Sequence, residues 1–190
     1  MIEKTPIAAP ILLDKLDGHN EVKDELIKLI SEDATTHTKD GINQISFVDY
    51  KHAREWDRPW VKLAAPVLQK QFDKFGDHLG LSHPIIRELW YQRYKNFGDK
   101  HNWHVHSNNY TGVYYLKYAD NGDMETQVVA PYDNGEKIIL TVNEGDIVLF
   151  PSFAIHRSPP MKLDKEKIII SFNIDFEHVQ QKIFWNLDHL

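Results

Sequence analysis

The 190-residue chain contains no cysteine. That excludes thiolate zinc sites, thiol nucleophiles and disulfide scaffolds. Basic residues are also in deficit. There are 22 Lys plus Arg against 28 Asp plus Glu, a formal charge of −6. Binding to a phosphate backbone normally uses a basic face, so no nucleic-acid partner is expected. No run approaches the ~20 apolar residues of a membrane helix, so no membrane partner is expected either. The stretch MIEKTPIAAPILLDKLDG lacks the basic-then-apolar layout of a signal peptide, because Glu3 and Asp14 flank a short apolar run. Cytoplasmic residence is the expectation. Internal repeats and low-complexity segments are absent too.

What is there divides into two patterns. In NEVKDELIKLISED, Val22, Leu26, Leu29 and Ile30 recur at helical spacing. In RPWVKLAAPVLQKQFDKFGDHLG, Val61, Ala64, Leu68, Phe72, Phe75 and Leu79 form one stripe. Asp57 is placed to cap this second helix, Pro59 suits its first turn, and Pro66 is expected to bend or split it. From Ile85 onward the chain changes to short β-branched and aromatic runs, separated by NFGD, DNGD, DNGEK and NEGD. Two helices followed by six strands predict an α+β fold, with helices packed outside a jelly roll. The expected organisation is a single domain over 1–190. It comprises a helical support region at 1–84, a metal-binding β core at 85–176 and a C-terminal helix at 177–190.

The stretch NWHVHSNNYTGVYYLKY carries the chemistry. Residues two apart on a strand share a face, so His104 and His106 can aim at one ion. Imidazole suits Fe, Zn, Cu and Ni. A partner lies in NEGDIVLFPSFAIHRSPP, where His156 follows the strand-ending Pro151 by five residues. His101 falls on the opposite strand face from His104 and is read as a loop residue. Lys167 shares a strand period with Ile169, Ser171 and Asn173.

Read together, LWYQRY, HVHSNNYTGVYYL, EGDIVLFPSFAIH and EKIIISFN resemble the Fe(II)/2-oxoglutarate-dependent oxygenases, in particular their prolyl-hydroxylase-like branch. The resemblance covers about residues 88 to 176. It implies a double-stranded β-helix that uses Fe(II), 2-oxoglutarate and O2 to hydroxylate a small-molecule or peptide substrate, releasing succinate and CO2. It implies that His104 and His156 are iron ligands. It places Lys167, Tyr115 and Tyr94 at the 2-oxoglutarate, with Lys167 and Tyr115 on the distal carboxylate. Two positions depart from the family pattern. His106 stands where the family has the Asp of His-x-Asp, and Lys167 stands where it usually has Arg. His106 is taken as the third ligand; an acid such as Asp123 or Glu125 is the alternative. No acid–base dyad is expected beyond the metal site.

Two other readings fit parts of the pattern. GDKHNWHVH and GDIVLFP resemble cupin motifs, which imply a three-histidine metal site acting on a small molecule without 2-oxoglutarate. The glutamate that cupins place after His-x-His is missing. The other reading is a non-catalytic jelly-roll binding module.

Overall fold

The computed structural model describes residues 10–33, 38–39, 43–118, 125–129, 136–162 and 165–180. Strands β1 (Leu12–Lys15), β4 (Phe47–Val48), β5 (Leu81–Tyr94), β7 (Tyr110–Lys117), β10 (Asp146–Pro151) and β12 (Lys167–Val179) form the main sheet, in the order β1-β10-β7-β12-β5-β4. A second sheet has the order β6-β11-β8-β9, from β6 (His101–His104), β8 (Gln127–Val129), β9 (Lys137–Ile139) and β11 (Ile155–Ser158). A small ribbon pairs β2 (Thr38–Lys39) with β3 (Gln44–Ile45). All pairings are antiparallel.

The main sheet is buried on both faces, and strand alternation sorts its side chains. Leu89, Tyr91, Tyr114, Leu116, Ile168, Ile170 and Phe172 join helices α1 (His19–Glu32) and α2 (Pro59–Leu79) in one core. Trp90, Tyr94, Val113, Tyr115, Val148, Phe150 and Ile169 form a second core with Val128 of the smaller sheet. The expected jelly roll with helices outside is thus the observed architecture. Leu68 and Phe72 are essentially fully buried on α2. Each such side chain contributes roughly 1.5–3 kcal/mol relative to exposure. Gly112 sits where β7 passes β10 and β12. A Cβ there would lie 2.0 Å from the Val148 carbonyl oxygen and 2.5 Å from the Phe172 ring.

Several expectations are corrected. α2 is not split at Pro66, because one missing backbone bond costs less than unpacking its buried stripe. Pro59 begins it, but the N-cap is Arg58 and not Asp57, with no side-chain cap. Within the 1–84 region TPIAAPILLDKL and Ile45–Val48 read as strands, and β1, β3 and β4 lie there. β1 and β4 extend the main sheet, and β5 already starts at Leu81, inside the boundary placed at 84/85. Residues 177–179 are the end of β12 rather than helix, and the rest of the expected C-terminal helix, from 181 on, lies outside the described residues. Arg93, whose neighbours on β5 suggest exposure, is buried. It pairs with Glu166 at 2.7 Å and stacks over Phe47.

Candidate metal centre

His104 closes β6 and His156 lies on β11. The two are register partners across that ladder. His106 follows β6, and its backbone N–H donates to the Ser152 carbonyl at 2.9 Å. Strand periodicity therefore does not place His106; the turn beyond β6 does. One ligand atom from each of the three rings lies within 4.8 Å of the others. Among the described residues no carboxylate joins this group. Glu125 is buried elsewhere, and Asp123 lies outside the described residues.

The tautomers of two rings follow from their partners. His104 Nδ1 lies 2.7 Å from the Asn102 carbonyl oxygen, and His156 Nδ1 lies 2.9 Å from that of Ala154. A carbonyl oxygen only accepts, so each neutral ring carries its proton on Nδ1 and keeps the Nε2 lone pair for a ligand role. Burial also holds the rings neutral. It lowers the His104 pKa, takes His106 down to about 4 and His156 to about 2, with charge repulsion among the rings adding to the last two. Three neutral imidazoles whose ring nitrogens converge suit a borderline divalent metal such as Fe(II).

The ends of β5 and β12 place the next residues. Lys167 is opposite Tyr94, and Ile169 pairs with both Gln92 and Tyr115. Lys167 is buried. Its Nζ donates to Ser158 Oγ at 2.6 Å and sits 4.3 Å from the Tyr94 ring centroid. Burial lowers its pKa to about 7, against a smaller opposing effect of Glu125. Tyr115 donates its hydroxyl to Thr126 Oγ1 at 2.7 Å, and Tyr94 donates to Gln92 Oε1. Burial raises both phenol pKa values, that of Tyr115 to about 12, so both remain O–H donors at neutral pH. Tyr114 faces the helices instead, bonded to His19 Nδ1 at 2.6 Å.

His101 stays outside the group of converging ligands, as expected, but it lies on β6 and not in a loop. It stacks on His104 with ring centroids 3.9 Å apart. The ladder explains why. His104 pairs with His156, but His101 pairs with Ser158, so three steps on β6 oppose two on β11. This bulge reverses the face parity that strict alternation assumes. Gln92, Ser158 and Thr126 were not assigned. For Gln92 the signal was available, as its spacing puts it on the Tyr94 face of β5. Arg157, at the edge of the inner cavity, donates to Gln127 Oε1 and stacks over Trp103 at 4.4 Å.

Two cavities meet at the histidines. The inner one, about 20 Å³, reaches Thr126, Ser158, Ile169 and Ser171. That is room for about one water. The outer one, about 330 Å³, lies on the β4 side.

Residues 88–173 match the family model described as putative 2OG-Fe(II) oxygenase. No curated protein matches the chain. Among solved structures, a 2OG-Fe(II) oxygenase family oxidoreductase from Burkholderia pseudomallei aligns with a TM-score of 0.69 at 14% identity. The alignment covers 90% of this chain and 87% of that one. A Pseudomonas putida prolyl-4-hydroxylase aligns at 0.60 and 15% identity, covering 88% and 93%. The epimerase SnoN, in complex with Fe3+, alpha-ketoglutarate and nogalamycin RO, aligns at 0.63 and 11%, covering 86% and 78%.

Proposed function

We propose that this chain, whose residues 88–173 match the 2OG-Fe(II) oxygenase family model, hydroxylates a substrate at a three-histidine iron site. His104, His106 and His156 would hold Fe(II). Bound iron and 2-oxoglutarate together supply O2 activation, with release of succinate and CO2. The chain's own residues bind, orient and exclude water.

The observation that carries this reading is the convergence of three neutral rings, two with Nδ1 committed to backbone carbonyls. Second-shell bonds of that kind orient a metal-binding imidazole. His106 in place of a carboxylate leaves the metal shell one negative charge short of the 2-His-1-carboxylate set. Lys167 adds a further positive charge on the cosubstrate side, and a buried ammonium favours a carboxylate strongly. Lysine supplies a point charge and not a bidentate fork, so the hydroxyls of Ser158, Tyr94 and Tyr115 share the positioning. The inner cavity is far smaller than a five-carbon diacid. A bound diacid would need more room there, and Val113 and Ile169, which line that cavity, would give it an apolar wall.

The test is anaerobic calorimetry with Fe(II) and then 2-oxoglutarate, followed by succinate measurement in air. Saturable 2-oxoglutarate binding that depends on Fe(II), with succinate formed, is expected. Metal binding with no 2-oxoglutarate binding would overturn the proposal in favour of a metal site that does not use this cosubstrate.

A further inference from the structure

The smaller sheet has one face that no described element covers. Its inner face carries His104, His156 and Val128 in one row. The outward side chains form two rows of their own. Trp103, Arg157, Gln127 and Ile139 make one, and Ile155, Val129 and Lys137 make the other. The main sheet, by contrast, has the equivalent face under α1 and α2. A sheet face left to water normally alternates to polar side chains. Here Trp103, Ile155 and Ile139 stay 38%, 39% and 52% exposed. Apolar surface gathered on one open face marks an interaction site.

Arg157 tells what the partner carries. Its guanidinium stacks over the Trp103 ring at 4.4 Å, and its Nε donates to Gln127 Oε1 at 2.8 Å. Those two contacts fix the plane of the fork. Strands β6, β8, β9 and β11 contain no Asp or Glu, although the chain has 28 of them. Lys137 adds a second positive charge to the face. A pre-oriented guanidinium amid apolar surface matches a carboxylate, which it can hold by two parallel hydrogen bonds. Trp and Arg are also the side chains in which the binding energy of protein interfaces concentrates.

Other occupants fit less well. A phosphate backbone or an anionic membrane needs a broad basic field, and the net charge of −6 opposes both. A second copy related by a two-fold axis would set this face against itself, with no carboxylate for either Arg157. We propose that the face docks a segment of another protein that presents Asp or Glu between apolar side chains. The carboxylate pairs with Arg157, and the apolar groups cover Trp103, Ile155 and Ile139. The proposal is independent of what the metal centre does.

Selection of a displayed library of random peptides against the full chain tests it. Recovered peptides should carry an acidic residue flanked by apolar ones. Their affinity, read by fluorescence anisotropy, should fall about tenfold or more in Arg157→Ala and in Ile139→Asp. Thermal unfolding checks that both variants fold. Hydrogen exchange on the unmodified chain gives a second reading that needs no variant: bound peptide should protect residues 127–129, 137–139 and 155–158. Recovery of no binder, peptides without acidic residues, unchanged affinity in both folded variants, or protection elsewhere on the chain would each overturn the proposal. So would a dimer in sedimentation that Ile139→Asp dissolves, which assigns the face to a second copy. Binding to vesicles of phosphatidylserine and phosphatidylcholine that Trp103→Ala abolishes would assign it to a lipid surface instead.

Discussion

His104 and His156 face each other across the β6–β11 ladder, ring centroids 4.2 Å apart, and each binds a carbonyl two residues earlier in its own chain segment. Two strands thus present the same local device to one point. His104→Ala or His156→Ala should each weaken Fe(II) binding at least about 100-fold, the range that follows loss of a ligand or its support. Anaerobic calorimetry reads this, and full retention of binding in either variant would remove that residue from the site.

His106 is placed by the segment after β6, where the resemblance implies an aspartate. His106→Asp should keep or improve both Fe(II) binding and succinate formation, because a carboxylate restores the missing negative charge. Collapse of metal binding in this variant would contradict the ligand role.

Burial of the histidines has a consequence for stability. Their folded pKa values lie below the usual value near 6.5, at about 4 for His106 and about 2 for His156. The unfolded chain therefore binds more protons in this window. Stability of the metal-free protein is full above pH 6.5 and falls as pH drops toward 4. His106 alone contributes on the order of 3 kcal/mol to that loss. Denaturant titrations between pH 4 and 7 should show the slope, and His106→Phe should flatten it.

Lys167 gives a second pH signature, of a different kind. Its folded pKa is about 7. A bound carboxylate favours the ammonium and raises it. Binding of 2-oxoglutarate should then take up a proton above pH 7, and affinity should fall as pH rises from 7. Calorimetry in buffers of different ionisation enthalpy measures the uptake. Lys167→Ala should abolish it and weaken 2-oxoglutarate binding far more than Fe(II) binding. Equal loss of both would deny Lys167 the cosubstrate role.

Away from the site, buried Asp49 accepts from the Arg58 guanidinium, from Trp60 Nε1 at 3.1 Å and from the Tyr91 backbone N–H at 2.7 Å. These bonds tie the segment before α2 to β5. Asp49→Ala strands a buried cation and two N–H groups, a loss of about 3–5 kcal/mol. Thermal unfolding should report it. A variant as stable as the parent would show that the network contributes little.

Much of this was legible in the linear chain because periodicity and chemistry coincide there. The α2 stripe, the two-residue period of Lys167, Ile169 and Ser171, and the ordered motifs around His104 and His156 each point to one face of one element. The strand pattern also separated Tyr115 from Tyr114, which turns to His19 and the helices. Where a residue's place depends on pairing, the reading failed. His101 was put on the wrong face because the bulge opposite Ser158 depends on how β6 meets β11.

The sequence alone determined the residue types, their order and the face each takes along a regular strand, since alternation and helical spacing are local properties of the backbone. Tertiary structure decided the rest. It drew His106 to the other rings from beyond its strand, brought His101 onto His104, and set Asn43, Val48 and Tyr50 of the N-terminal half across from Trp90 to enclose the outer cavity. Those contacts join residues that are distant in the chain or separated by an irregular pairing, and no local period encodes them.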